Sequence, residues 1–445
     1  MSVTRTRFAP SPTGPLHIGG LRTALYSYAL AKHSKGDFLL RIEDTDKKRE
    51  VPGSTDKIQE LMRLFGLTWD EYYVQSERAK TGIYKKAAEG LVKEGHAFYC
   101  QCKPRNAKSE GYSKELRDPC REKGLKEGAV KLRVPDGETI SFNDFVLGKE
   151  ISWDSSTVAD TTLLKSDGFP TYHLAVVVDD NDMDITHALR GHDWMPSTPI
   201  HLLVYKYLGC KVSLLGHLTD ILDPEGGKLS KRKGSTSCEG LLSEGYLPEA
   251  ILNFVMLLGW APKDNRELFS LVDFVKTFES TGFQKTNPIF NKEKLDWFNG
   301  EYIRQLKVDE LSSKFEIRNS KFKELGQDKK LAITALIKDR IKKLSDFDEF
   351  AGFFFEGPKV DKKLFGEGYR EHLEAALEVL RSIDEWNLKN LETFLLELVD
   401  RKKFHRGNFF MDLRIAIAGS RVTPPITDSI AILGKEETLA RLIIS

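Results

Sequence analysis

The first 46 residues read as strand, broken loop, helix, strand, and that order confines the chain to a small set of α/β folds. Val3–Phe8 reads as a short strand, after which Pro10, Pro12, Gly14 and Pro15 break regular structure. From Leu21 a helix is expected, with Leu21, Ala24, Leu25 and Tyr28 at helical spacing. Asp37–Ile42 (DFLLRI) is a second strand, closed by Glu43, Asp44, Thr45 and Asp46. Ligands of such a βαβ unit gather at the carboxyl ends of its strands.

The chain has 445 residues, too many for one hydrophobic core, and its length suggests two to four domains. Around 98–170 the pattern shifts to short strands such as Ala129–Val134 and Thr139–Phe142, separated by Gly, Pro and Asp, as expected of an inserted α+β module. The α/β pattern then resumes. Leu174–Val178 is expected as a buried strand, Ser197–Leu208 as a helix and Lys211–Leu215 as a strand. From about Leu242 onward the chain reads as wholly helical, with periodic segments at Ala250–Leu258, Asp309–Leu325, Lys330–Leu344, Tyr369–Ile383 and Leu391–Arg401. No run approaches the roughly 20 apolar residues of a membrane span, and the N-terminus has no apolar signal region. Net charge is +1, so no global field draws the chain to nucleic acid, although a local basic patch is compatible with 67 Lys and Arg. Five cysteines in such a length make no disulfide framework and point to the cytoplasm.

Two segments suggest phosphate chemistry, although neither GxGxxG nor GxxxxGK[ST] is present. Ser11–Gly20 leads into a helix N-terminus, where unsatisfied N–H groups favour an anion. Gly14, Gly19 and Gly20 allow close approach, and His17 could donate to a phosphate oxygen. Taken alone, His17 reads better as a capping or packing residue. Far along the chain, Gly226–Gly234 (GGKLSKRKG) carries Lys228, Lys231, Arg232 and Lys233 within six positions. Such cations repel one another until an anion arrives. Taken alone, the loop reads better as a solvated basic turn or a nucleic-acid patch.

Together, RFAPSPTGPLHIGG (Arg7–Gly20), RIEDTD (Arg41–Asp46) and KLSKR (Lys228–Arg232) resemble the class I aminoacyl-tRNA synthetases, and within them the bacterial-type glutamyl branch. His17-Ile18-Gly19-Gly20 matches the HIGH signature, with Gly for the last His as is usual in that branch, and Lys228–Arg232 matches KMSKS. Phe169–Asp180, Ala250–Trp260, Phe290–Arg304, Arg340–Phe355 and Leu413–Lys435 extend the likeness over nearly the whole chain.

The resemblance implies a Rossmann-like catalytic domain with an α+β insertion, followed by an all-α anticodon-binding region. The implied boundaries are 1–84 for the first catalytic half, 85–172 for an acceptor-stem module, 173–238 for the second half, 239–315 for a helical stem-contact domain and 316–445 for the anticodon domain. The implied reaction is ATP-dependent activation of L-glutamate to glutamyl-adenylate and its transfer to tRNA-Glu, with Mg²⁺ arriving on ATP and a monomer as the state of the enzyme. His17, Lys228, Ser230 and Lys231 are the implied catalytic residues, Lys231 ranking first for transition-state contact. Arg7, Ala9, Ser11, Glu43, Tyr172 and Arg190 would hold glutamate, Glu43 taking the α-ammonium. Gly19, Gly20, Asp193, Ile221, Leu229 and Arg232 would join His17, Lys228, Ser230 and Lys231 around ATP. Without the likeness, Arg190 would read as a surface ion pair with the acidic run Asp179–Asp184. That run, as Asp180-x-Asp182-x-Asp184, lacks the Gly and closing Glu of an EF-hand. One departure is His192, where the family usually has an acid. Glutaminyl enzymes are disfavoured by Ala9 and Ser11, and a non-catalytic descendant by the retained lysines. The choice between tRNA-Glu alone and tRNA-Glu with tRNA-Gln stays open. Arg401, Lys402, Lys403, His405 and Arg406 form a basic cluster expected near the anticodon, or else a solvated helix end.

Cys100-x-Cys102 with Cys120 is a partial zinc pattern. The family's fourth ligand stands two residues after the third Cys, which here is Glu122. Tyr112 or Asp118 are the other candidates, and a metal-free remnant is the alternative. Cys210 and Cys238 read as ordinary buried or loop residues.

Overall fold

The computed structural model describes residues 3–102, 116–229 and 236–443. Ser230, Lys231 and Arg232 of the basic loop, and Tyr112, lie outside the described residues. The chain forms two compact units, Met1–Leu241 with Ile251–Lys292, and Leu242–Ala250 with Glu293–Ser445.

In the first unit, β1 (Arg5–Phe8), β2 (Asp37–Ile42) and β3 (Glu71–Val74) pair in parallel in that order. Five of the six residues of β2 are buried, as a parallel strand covered on both faces requires. The inserted module contributes β4 (Ala97–Cys100), β5 (Ala129–Leu132), β6 (Thr139–Asp144), β7 (Lys149–Asp154) and β8 (Thr162–Leu164), all antiparallel, with β4-β5-β8 as one sheet and β6-β7 as a hairpin. Then β9 (His187–Gly191) and β10 (Leu214–Leu218) pair in parallel. The Thr186 N–H donates to the Arg5 carbonyl at 2.9 Å, and the Arg5 N–H donates to Thr186 Oγ1 at 2.9 Å. The start of β9 therefore lies beside β1, on the edge away from β2. Strand order reverses between β1 and β9, which places a crevice at their carboxyl ends.

Two expectations change in this unit. The helix expected from Leu21 begins at Ile18 and runs to His33, because His17 Nδ1 accepts from the Gly19 N–H at 3.2 Å and caps it. Gly19 and Gly20 thus form its first turn. Leu174–Val178, expected as a strand, lies inside the helix Tyr172–Asp182. Leu174–Asp180 are all buried, so the segment has no exposed face to reveal a helical period. The other strands and helices of this unit appear within a few residues of the expected positions.

Among the described residues no strand follows β10. The second unit packs Phe315, Phe322, Phe347, Leu391, Phe409 and Leu413 into one core. The helix expected over Asp309–Leu325 breaks at Asn319, whose side chain accepts from the Phe322 N–H at 3.0 Å and starts a short turn, Ser320–Lys323. No helix among the described residues is long and apolar enough to cross a membrane.

The sheet of the first unit is tied to the helix Tyr172–Asp182 by buried charge. Arg41, fully buried on β2, contacts Asp180 at 2.6 Å, Glu43 at 3.0 Å and Asp179 at 3.7 Å. Asp180 also takes Arg7 Nε at 3.0 Å. Asp179 takes Arg78, Gln75 and the Tyr84 hydroxyl. Removing the central cation strands buried carboxylates, which costs about 3–5 kcal/mol. Arg41→Met is therefore expected to lower the stability of this unit by that amount in urea unfolding, whereas a loss below about 1 kcal/mol would assign the network no structural weight.

Candidate active site

A cleft of about 480 Å³ opens at the carboxyl ends of β1 and β9 and is lined by both segments singled out in the sequence. Arg7, Ala9, Ser11, His17, Gly19, Gly20, Glu43, Tyr172, Arg190, Asp193, Ile221, Lys228 and Leu229 all border it.

One end of the cleft is formed by the helix Ile18–His33. Besides capping that helix, His17 places Nε2 2.7 Å from Thr236 Oγ1. The Ile18 N–H donates to the Thr236 carbonyl at 3.1 Å, and the Cys238 N–H donates to the Leu16 carbonyl at 2.9 Å. The chain leaving the basic loop is thus hydrogen-bonded to the start of this helix. A Cβ on Gly20 would come within 2.9 Å of Leu16 Cδ1, so glycine lets the first turn and its preceding loop close together. On the entering side, the chain doubles back over Ile221–Leu229, with Leu222 bridged to Lys228 and the Leu229 N–H on the Ile221 carbonyl at 2.8 Å. Gly226 and Gly227 turn the chain there with φ of 100° and 80°, which suits residues without a Cβ. Lys228 bonds to Asp193 and lies 2.9 Å from Asp220, and these carboxylates raise its pKa against the opposing effect of burial. His192 is exposed, 4.0 Å from Asp220.

At the other end two buried arginines meet different surroundings. Arg7 donates to Asp180, which also serves Arg41, and to the Leu189 carbonyl at 3.3 Å. Burial opposes ionisation of Asp180, but the two arginines outweigh it and hold its pKa below the usual range. Arg190, on β9, is not paired with the acidic run. Its Nε donates to His217 Nε2 at 3.0 Å, Nη1 to His201 Nδ1 at 2.9 Å and Nη2 to Thr198 Oγ1 at 3.0 Å. Among the described residues no carboxylate pairs with Arg190. Its charge is conversely felt by the histidines: burial first, then Arg190, pushes His173 down to about 4 and His201 well below the normal imidazole value. His217 is lowered by burial although Asp144 opposes the shift. These rings are therefore neutral near pH 7 and able to accept. Glu43 is held by Arg41, yet burial raises its pKa above the ordinary value. The cleft thus offers a cation lacking a carboxylate partner, a buried carboxylate, a helix N-terminus and Lys228.

Thr198, His201, His217 and Asp144 escaped the sequence reading. They lie on three separate segments, and only the spatial closeness of β6, β10 and the helix Thr198–Tyr207 to β9 brings them together around Arg190.

A second cluster lies in the inserted module. Cys102 and Cys120 have their sulfurs 3.3 Å apart, and Cys100 Sγ lies 3.5 Å from an Asp118 oxygen. The four ligand atoms fall within 4.8 Å of one another. Tetrahedral zinc with bonds of about 2.3 Å sets its sulfurs about 3.8 Å apart, so this donor set fits. Lys131 sits on Asp118 at 2.5 Å, a favourable charge beside thiolates. Glu122 is not part of the group. It is exposed and bonded to Arg133 at 2.7 Å, pulled away by that cation.

In the second unit, Arg401 and Lys402 end the helix Leu388–Lys402, Lys403 turns with a φ of 55°, and His405 caps the helix Arg406–Ala418. The side chains of all five basic residues are exposed.

Residues 3–297 match the family described as tRNA synthetases class I (E and Q), catalytic domain, and residues 290–444 match the anticodon binding domain family. The chain is 40% identical over 479 residues to a glutamate–tRNA ligase of Dehalococcoides mccartyi, covering 99% of this chain and 96% of that one. It is 40% identical over 475 residues to one of Clostridium tetani, with coverage of 99% and 96%. Among solved structures, a glutamate tRNA ligase from Elizabethkingia meningosepticum in complex with its amino acid superposes with a TM-score of 0.87, at 33% identity over 99% of this chain and 98% of that one. With both domain matches and full-length relatives of one kind, the chain belongs to the glutamate–tRNA ligase family of class I aminoacyl-tRNA synthetases.

Proposed function

We propose that this chain activates L-glutamate with ATP and joins it to the 3′ end of tRNA-Glu. The observation that carries the reading is Arg190, a buried guanidinium held by neutral acceptors in the same cleft as Glu43 and the helix N-terminus. A dicarboxylic amino acid supplies the anion that Arg190 lacks and an ammonium for Glu43. Arginine suits bidentate carboxylate binding.

In the first step, a carboxylate oxygen of glutamate attacks the α-phosphorus of ATP, and the bond to the β-phosphate oxygen breaks to release pyrophosphate. Negative charge builds on the phosphate oxygens. The positive dipole end of the helix starting at Ile18, whose first two N–H groups are already bonded to Thr236 and His17, and the ammonium of Lys228 stabilise it, with Ser230, Lys231 and Arg232 assigned the same task by their place in the signature. To reach phosphate, Lys228 leaves Asp193 and Asp220. Mg²⁺ enters with the nucleotide. In the second step, a ribose hydroxyl at the tRNA end attacks the acyl carbon and AMP departs. Asp193, Ile221 and Leu229 border the adenosine side in this reading, while Ala9, Ser11 and Tyr172 shape the amino-acid side.

The five segments 1–84, 85–172, 173–238, 239–315 and 316–445 are assigned the catalytic, acceptor-stem, catalytic, stem-contact and anticodon roles, the fourth being divided between the two compact units. The exposed basic cluster Arg401–Arg406 is assigned to the anticodon. A monomer in the cytoplasm is the working state, in keeping with five cysteines of which none is in a disulfide.

Charging of purified tRNA-Glu and tRNA-Gln, each with glutamate and with glutamine, tests the reaction. Glutamyl-tRNA-Glu is the expected product, glutamyl-tRNA-Gln would add a second acceptor, and no glutamate transfer to either would overturn the reading. Arg190→Ala is expected to raise the KM for glutamate at least about 100-fold, the scale of a lost charge-assisted pair, with the KM for ATP little changed. An unchanged glutamate KM would remove Arg190 from the amino-acid site.

For the cysteine cluster we propose a structural zinc held by Cys100, Cys102, Cys120 and Asp118. It would join two chain segments of the inserted module and take no part in the reaction. Metal analysis should give about one zinc per chain, reduced by Asp118→Ala but not by Glu122→Ala. A content near zero in folded protein would make the cluster metal-free.

A further inference from the structure

Asp144 does not border the cleft. It sits at the end of β6 in the inserted module, and it touches the pocket wall through one ring. Its Oδ2 accepts from His217 Nδ1 at 2.6 Å, and the same carboxylate accepts the backbone N–H of His217 at 3.1 Å and those of Val146 and Leu147 at 2.9 Å each. Both side chains are completely buried. A carboxylate on Nδ1 keeps the proton there, so Nε2 of the neutral ring carries only a lone pair. That lone pair accepts from Arg190 Nε at 3.0 Å. Arginine can only donate, so the opposite tautomer would set N–H against N–H.

We propose that Asp144 is a positioning residue for glutamate selection: it fixes the His217 tautomer, and His217 in turn aims Arg190. The inference rests on Arg190 as the carboxylate binder. The arrangement explains how a buried arginine can be oriented without being neutralised. A carboxylate touching Arg190 directly would compete with the substrate. Placed one imidazole away, Asp144 supplies direction and leaves the charge of the guanidinium, held by His217, His201, Thr198 and the Tyr172 hydroxyl, uncancelled. His201 plays a parallel part from the helix Thr198–Tyr207, with its Nε2 turned to His173 at 3.3 Å, but among the described residues no carboxylate fixes its tautomer.

Glutamate-dependent pyrophosphate exchange on the full chain tests this with Asp144→Asn, His217→Phe, His217→Gln and the Asp144→Asn/His217→Gln pair. Asp144→Asn and His217→Phe should each raise the glutamate KM about tenfold, the scale of one lost hydrogen bond to a charged group, with kcat and the ATP KM within about threefold. Glutamine at 217 offers an amide oxygen that needs no fixed tautomer. His217→Gln should therefore recover most of the KM lost in His217→Phe, and adding Asp144→Asn to it should raise the KM no further. An unchanged KM in Asp144→Asn, or an equal rise in both backgrounds, overturns the proposal, because Asp144 would then act on the hairpin alone. If Asp144→Asn does not fold, the comparison of His217→Gln with His217→Phe decides, and equal KM values overturn it. Failure of the underlying reading shows separately, as an Arg190→Ala enzyme with normal glutamate KM.

Discussion

The catalytic unit depends on one buried carboxylate. Asp180 receives Arg7 from β1 and Arg41 from β2, and so fixes the helix Tyr172–Asp182 against two neighbouring strands. Its neighbour Asp179 does the same for the segment carrying Gln75, Arg78 and Tyr84. Buried ion pairs of this kind add little net stability over apolar packing, but breaking one strands a charge, so they enforce a single arrangement. Here the arrangement enforced is the wall of the cleft. Arg7, Glu43 and Tyr172 all stand on elements that this network holds.

The two arginines of the cleft divide the work of charge. Arg7 is compensated by Asp180 and belongs as much to the fold as to the site. Arg190 is surrounded by His217, His201 and Thr198, which accept its protons without cancelling its charge. Burial keeps those imidazoles neutral, and Arg190 itself disfavours their protonation. A cation prepared in this way gains most from an incoming carboxylate, since the interaction takes place out of bulk water. Across the cleft, Lys228 is the opposite case: it is exposed and engaged by Asp193 and Asp220, so binding phosphate means exchanging one set of anions for another.

Much of this could be read from the chain. The βαβ opening was legible because prolines and glycines separate a strand from a helix with clear spacing. Arg7, His17, Glu43 and Lys228 were legible through signature segments and Arg190 only through the family likeness, and all five border one cleft. The helix Tyr172–Asp182 was not, because burial on every side erases the period that distinguishes helix from strand. Asn319 hid a helix break, since a capping side chain looks like any polar residue inside a periodic run. Spacing alone leaves Asp118 one candidate among several, and Glu122, at the family's spacing, is engaged by Arg133 instead. The shell around Arg190 was illegible for a different reason: Asp144, Thr198, His201 and His217 are unremarkable one at a time, and their meaning lies in hydrogen bonds that cross strands far apart in sequence.

Arg190 is the cation kept available for the substrate, and a crystal structure of the full chain with L-glutamate bound tests this directly. A glutamate carboxylate is expected within hydrogen-bond distance of the Arg190 guanidinium, which keeps its bonds to His217 and His201, and the ammonium within reach of Glu43. Glutamate seated on Arg7 and Lys228, with no contact to Arg190, would contradict it.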